Sequence, residues 1–275
     1  MAYDGYACLS VRVDRGVAFV TIDHPPINLL DARLIQDLDR LGRGLEIDDA
    51  VRVVVVASAN PDFFIAHADV TLIQRLPTSV PPRGTTLGPF HQMVDRFRTM
   101  PKATIGQIEG RARGGGSEFL LSLDMRFAAL GRAVLAQPEV ALGIIPGGSG
   151  TQRLPRLVGR GRALEIVLGC CDFPADLAER YGYVNRALPP EALGPFVETL
   201  AYRIASFPAP AIALAKSAVA AAEPSPIDGL LDEAHLFNRT LATPDAQRRM
   251  AAFMALGGQT PDVERGALEL LDRIR

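Results

Sequence analysis

The chain has 275 residues, with 29 Lys and Arg against 31 Asp and Glu for a formal net charge of −2. A hydrophobic share of 48% beside 22% charged residues is that of a soluble globular protein, long enough for one large core or a core with an appendage. The charge balance argues against a nucleic-acid binder, no apolar run approaches the ~20 residues of a membrane span, and three cysteines make no disulfide framework and suit a reducing cytoplasm.

Met1 to Ser10 has neither a basic n-region nor an apolar h-region, so no signal peptide is expected. Leu9 to Val13 and Val17 to Ile22 alternate around Asp14-Arg15-Gly16 and predict a hairpin, which His24-Pro25-Pro26 ends. Asp31 is placed to cap a helix with Leu34, Leu38, Leu41 and Leu45 on one face. The valine-rich run Val51 to Ala57 has the pattern of a strand covered on both faces. Asn60-Pro61-Asp62 opens a loop that runs through Phe63-Phe64-Ile65 to Ala66-His67-Ala68-Asp69. Pro77 to Pro89 reads as a surface loop, and a helix from about Phe90 to Met100 leads to a buried strand at Thr104 to Ile108.

After the glycine-rich stretch Glu109 to Glu118 comes a helix ending near Asp124, then short strands at Met125 to Ala129 and Ala133 to Ala136 around Gly131. Gln137-Pro138-Glu139 and a second glycine-rich segment, Gly143 to Gly150, follow. From Thr151 onward the pattern is almost wholly helical, divided by Pro208, Pro210, Pro224, Pro226, Pro244 and Pro261. The expected organisation is an α/β body over residues 1–190 and a helical region over 191–275 that packs on the body or on a neighbouring subunit. There is no internal repeat.

A strand, three glycines and a helix place bare backbone N–H groups of Gly114-Gly115-Gly116 where a developing negative charge can be held, with the Glu118 carboxylate in the same helical turn. The plainer alternative is a turn glycine and a Glu placed on the helix dipole. A small residue in Ala66-His67-Ala68-Asp69 leaves its amide open to a ligand, and Pro138 fixes the backbone before Glu139, whose neighbours Val140, Ala141 and Leu142 can desolvate it. Each of these also occurs in ordinary loops. Arg153, Arg156, Arg160 and Arg162 read as a solvated helix face; His24, His67, His91 and His235 show no metal-ligand spacing, so no metal site is expected. Cys170 and Cys171, without a CxxC pattern, read as structural thiols.

Taken in order, these blocks resemble the crotonase, or enoyl-CoA hydratase/isomerase, superfamily over nearly all of Val11 to Ala255. The resemblance rests on His24-Pro25-Pro26-Ile27-Asn28, Val51 to Ala57, residues 66–69, Gly110 to Glu118, Gln137-Pro138-Glu139 and Ile145 to Leu154. It implies an α/β fold built as a spiral of ββα units with a C-terminal helical region, assembled as a homotrimer or homohexamer. It implies an acyl-CoA substrate whose coenzyme A is part of the substrate, with no separate cofactor, nucleic acid or membrane partner. The oxyanion-hole amides of the family match Ala68 and Gly115, and its two hydratase glutamates match Glu118 and Glu139. Ala66, His67, Asp69, Gly114, Gly116, Pro146 and Gly147 are the expected substrate-binding neighbours. Family isomerases usually keep only the match of Glu139, so both glutamates imply syn-addition of water to a trans-2-enoyl-CoA. Double-bond isomerisation, thioester or β-dicarbonyl hydrolysis, and a catalytically silent acyl-CoA binder are the alternatives.

Three departures stand out. His67 occupies a position that is usually Gly in the family and is expected to point to solvent, the alternative being a remodelled acyl or pantetheine pocket. The Lys-rich segment that touches CoA phosphates in the family is replaced by Met254 to Gln259 and an extra helix through Arg275. One extra residue lies between Asp124 and Glu139, expected in the Gly131 turn.

Overall fold

The computed structural model describes residues 3–266 and 270–274. Strands β1 (Leu9–Asp14) and β2 (Val17–Ile22) form the expected antiparallel hairpin. Its turn residues Arg15 and Gly16 both take positive φ, 46° and 82°, which a two-residue turn between twisted strands requires. Helix α1 (Ala32–Ile47) starts where Asp31 accepts the Arg33 and Leu34 amides, and it buries Leu34, Leu38, Leu41 and Leu45. The valine run becomes β3 (Val53–Ser58), with Val54 and Val56 in one core and Val53 and Val55 in the other. This is the two-sided burial expected of it.

The main sheet has the order β1-β2-β3-β5-β7-β10, where β5 is Ala103–Ile108, β7 is Met125–Ala129 and β10 is Arg186–Leu188. Its strands are parallel from β2 to β10. A smaller sheet has the order β4-β6-β8-β9, with β4 at Phe63–Ile65, β6 at Arg111–Arg113, β8 at Val134–Ala136 and β9 at Phe173–Pro174. The successive pairs β3–β4, β5–β6 and β7–β8 give one strand to each sheet before the chain turns into helix. That alternation is the ββα spiral. The helices that follow these pairs are α2 (Val70–Gln74) and α3 (Pro89–Thr99), then α4 (Gly115–Leu121), then α5 (Gly150–Val158) after a 3-10 turn at Glu139–Leu142.

Two expectations are corrected. Phe63-Phe64-Ile65 is a strand, not loop, and the region beyond Thr151 contains β9 and β10 between α6 (Arg160–Gly169), α7 (Ala175–Tyr181) and α8 (Pro190–Ala205). These strands are two to three residues long, too short for an alternating pattern to register.

Leu193, Val197, Ala201 and Ala205 of α8 pack on the main sheet against Val53, Val55, Ile105 and Phe127. Beyond α9 (Ala209–Ala220) come α10 (Ile227–Leu241), α11 (Pro244–Ala255) and α12 (Pro261–Arg265). Their Leu241, Ala246, Met250 and Phe253 join Val70, Leu142 and Ile144 in a third core that roofs the 66–70 loop. The expected final helix runs partly through residues 267–269 and 275, outside the described residues. No described helix is long and apolar enough to cross a membrane.

Candidate active site

Strand β4 ends at Ile65, and the loop after it is tied down from one side. The buried Asn28 side-chain nitrogen lies 3.2 and 3.0 Å from the Phe63 and Phe64 carbonyls and 2.7 Å from Ser58 Oγ. Leu30 then runs beside the loop: its amide donates to the His67 carbonyl at 2.9 Å and its carbonyl accepts from the Asp69 amide at 3.1 Å. From the other side β6 delivers Gly114 with φ 48° and ψ −125°, a conformation that suits glycine. A Cβ on Gly115 would lie 3.2 Å from the Ala68 Cβ and 3.5 Å from the Ala68 nitrogen, so the two backbones are in contact. Neither the Ala68 nor the Gly115 N–H has an acceptor among the described residues. Two unspent donors side by side can hold an oxyanion.

Glu118 and Glu139 are both buried. Glu118 Oε1 accepts the Gly148 amide at 2.7 Å and the Gly150 amide at 2.8 Å. Burial, then the nearby charge of Glu233, pushes its carboxyl up to about 8 against the pull of those two amides. Glu139 follows Pro138 into the 3-10 turn, and a Cβ on Gly114 would lie 2.7 Å from its Oε1. Its Oε2 has no partner among the described residues. Burial, and after it the Glu118 charge, raises its carboxyl well above the usual range. The two carboxyls thus feel each other. Glu139 lies in the wall of a cavity of about 40 Å³ with Ala68, while Glu118 is not part of that wall and faces the glycine loop instead.

Sequence reading missed Glu233. This fully buried residue of α10 accepts the Ser149 amide at 2.6 Å and the Thr151 amide at 2.9 Å, with the Thr151 hydroxyl also on Oε2. Four consecutive amides, 148 to 151, therefore donate alternately to Glu118 and Glu233. Ser149 sits at φ 102°, a strained value for a residue with a side chain. Arg153 Nε donates to its Oγ at 2.8 Å. Arg153 is buried, which corrects its reading as part of a solvated face; Arg156, Arg160 and Arg162 are exposed as expected. In sequence Glu233 looks like any helix carboxylate, and no local signal marks it.

His67 is the clearest correction. It is 8% exposed and lines the cavity, because Glu264 of α12 draws it inward. Its Nε2 lies 3.0 Å from Glu264 Oε1 and its Nδ1 lies 2.8 Å from the Ala68 carbonyl. Both ring nitrogens face acceptors, so the ring is held as an imidazolium. Burial opposes that charge, and the Glu264 carboxylate outweighs it, raising the ring's proton affinity. Glu264 in turn is held below the usual carboxylate range against its own desolvation. Arg113 completes the cluster, with Nη1 donating to the Glu264 carbonyl at 2.7 Å and a forked pair to Asp172 at 2.7 and 2.6 Å.

The remaining expected binding residues serve as scaffold. Ala66 is fully buried beside Ile27 and Phe63. Asp69 caps α2 and accepts from Gln259 Nε2 at 3.1 Å. Gly116 backs onto Ile65, Gly147 onto the Phe237 ring, and the Pro146 ring onto Gly150. None of these, nor Gly114, is in the cavity wall. Cys170 is buried, Cys171 exposed, and both thiols are free. Among the described residues, no group of three or more His, Cys, Asp or Glu is placed to hold a metal ion.

A family model described as enoyl-CoA hydratase/isomerase matches residues 12–257. A short-chain-enoyl-CoA hydratase of Clostridium acetobutylicum is 34% identical over 86% of this chain and 91% of its own length. A crotonyl-CoA hydratase of Syntrophomonas wolfei is also 34% identical, over 92% of this chain and 96% of its own. A crystal structure from Streptomyces avermitilis superposes with a TM-score of 0.89 at 38% identity, covering 98% of this chain and 99% of that one.

Proposed function

This chain belongs to the enoyl-CoA hydratase/isomerase family, and from that premise we propose that it adds water across the 2,3 double bond of a trans-2-enoyl-CoA with Glu118 and Glu139 as the acid–base pair. The observation that carries the reading is the pair of buried, mutually sensed carboxyls beside two unspent backbone donors. The thioester oxygen would sit between the Ala68 and Gly115 amides, where the charge that builds up as water attacks C3 is stabilised; one such donor is typically worth about 3–4 kcal/mol. Burial and proximity keep at least one proton on the pair. Glu118, whose Oε1 accepts two amides, is the better carboxylate and takes the proton of the attacking water. Glu139, with an unpartnered Oε2, is the better acid and delivers a proton to C2.

This chemistry moves only protons between water, carboxyls and carbon, so coenzyme A enters as part of the substrate and no further cofactor is needed. Isomerisation needs one such carboxyl and a silent binder needs neither, so the retained pair favours hydration. We place the enzyme in the cytoplasm, where its free thiols stay reduced, as a homotrimer or homohexamer. The test is loss of enoyl-thioester absorbance with crotonyl-CoA. Turnover supports hydration, and an inert but folded protein overturns it.

A further inference from the structure

Among the described residues the Ala68 N–H meets no acceptor, so its direction is fixed only through the peptides around it. The His67–Ala68 peptide, which carries that N–H, is held at its carbonyl by the Leu30 amide at 2.9 Å. In the next peptide the Asp69 amide donates to the Leu30 carbonyl at 3.1 Å, and the Ala68 carbonyl lies 2.8 Å from His67 Nδ1. In the one after that the Val70 amide donates to Gln259 Oε1 at 2.7 Å. Leu30 therefore braces one side of the loop. The other side is braced from the short stretch between α11 and α12, directly by Gln259 and through the His67 ring by Glu264, whose Oε1 lies 3.0 Å from His67 Nε2.

That stretch is itself built as a clamp. Gln259 Nε2 donates to Asp69 Oδ1 at 3.1 Å, the oxygen that also accepts the Thr71 amide at the start of α2. The Gln259 amide donates to Glu264 Oε1 at 2.9 Å, so one carboxylate oxygen joins the Gln259 backbone to the His67 ring. Gln259 sits at φ 68°, a left-handed value that strains a residue with a side chain. The strain is kept at a residue whose amide and both side-chain polar atoms are bonded to the Ala68 loop or to its brace. Just before it, a Cβ on Gly258 would lie 2.3 Å from Phe253 Cε1, so the chain runs flat against the ring that meets His67 edge-on. Glu264 also reaches the other donor's strand. Its carbonyl accepts from Nη1 of Arg113, the β6 residue two positions before Gly115, at 2.7 Å.

We propose that Gln259 and Glu264 are positioning residues for the oxyanion hole, which hold the peptides that follow Ala68 so that its N–H stays aimed beside that of Gly115. The proposal rests on the reading of these two amides as oxyanion donors and not on the hydration step. A donor without a partner in the empty site is useful only if it cannot turn away, because a displacement of about 1 Å is enough to cost roughly a hundredfold in rate. Glu264 acts through His67, and Gln259 through Val70 and Asp69.

Two measurements on the full-length protein test it. In the first, kinetics with crotonyl-CoA, Gln259→Ala and Glu264→Ala are each expected to lower kcat roughly tenfold or more. KM should change less, since the donor serves the transition state more than the bound substrate. Glu264→Gln, whose amide can still pair with the His67 ring and the Gln259 amide, should recover much of the kcat that Glu264→Ala loses. The second is infrared difference spectroscopy of saturating butyryl-CoA labelled with carbon-13 at the thioester carbonyl, which binds without reacting. Wild type should pull the carbonyl band to lower frequency, because two N–H donors weaken the C=O bond, and both alanine variants should pull it less. Saturation keeps a loss of affinity from mimicking the effect, and Gln259→Ala serves if Glu264→Ala does not fold. A band as far displaced in Gln259→Ala as in wild type overturns the proposal even if kcat falls, since the loss is then merely structural. A wild-type band that does not move sinks the oxyanion reading and the proposal with it. A displaced band that relaxes in the variants of a protein unable to hydrate crotonyl-CoA sinks only the proposed reaction and upholds the clamp.

Discussion

At Glu139 the same burial that prepares an acid also stores a cost in stability. Its carboxyl ionises in the unfolded chain near 4.5 and well above that in the fold, because burial and the Glu118 charge oppose ionisation. A raised folded value means that its contribution is fully present below the unfolded value and is lost as pH rises through the folded one. Replacing Glu139 by Gln removes that loss. The difference in Tm, variant minus wild type, is therefore expected to grow from pH 5 to pH 8.5, and a constant difference across that range would show that the group does not carry the shift. The same variant should lower kcat by about 10²- to 10⁴-fold with a much smaller change in KM, as removal of a proton donor does. Glu118→Gln should do likewise. An unchanged kcat in either removes that residue from the mechanism.

Among elements, the contact that matters most joins α10 to the start of α5. Glu233 holds the Ser149 and Thr151 amides while Glu118 holds those of Gly148 and Gly150, so the two carboxylates share one loop. Glu118 is also faced by Arg153, which lowers its proton affinity, and Glu233 by His91 at 3.0 Å. The negative charge of Glu233 raises the Glu118 value, so Glu233→Gln is expected to move the acid limb of the kcat/KM–pH profile to lower pH. A purely structural role would lower the rate and leave the limb in place, so an unmoved limb refutes the electrostatic role. Glu233 also shows what could be read from the sequence and what could not. The hairpin, the leucine face of α1 and the valine run are legible because their signals lie within one element. In the smaller sheet β8 is legible too, whereas β4 and β6 are not, since strands of three residues carry almost no period. Glu118 and Glu139 could be found because each sits in a motif of sequence neighbours, Gly114-Gly115-Gly116 before the one and Pro138 before the other, that resembles the family's. Glu233 and Glu264 could not, since the groups they bind, Ser149 and His67, lie 84 and 197 residues away. The same distance explains why His67 reads as solvent-facing in sequence: the group that buries it, Glu264, is remote, and nothing near it in the chain does so.

For the whole molecule, α9 is the surface that a single chain leaves unexplained. It is a 12-residue helix with no buried residue, yet it is built almost entirely from alanine, isoleucine, leucine and valine. Ile212 reaches the second core, and Lys216 anchors the helix to Asp124 at 2.8 Å, whereas Leu214 is 70% and Val219 75% exposed. A helix pinned by one side and apolar on the other suits a subunit contact better than solvent, because contiguous apolar surface is rarely left exposed on a monomer. Closed assemblies need the same patch on every subunit, so removing it should act on all contacts at once. Light scattering with size-exclusion chromatography at micromolar concentration is expected to give a trimer or hexamer. Leu214→Asp with Val219→Asp should shift the mass toward monomer, since each carboxylate would have to be buried in the contact. The exposed positions make the fold itself insensitive to the change, so far-ultraviolet circular dichroism should match the wild type. A wild-type monomer refutes the assembly, and a variant that remains fully assembled places the contact on another face.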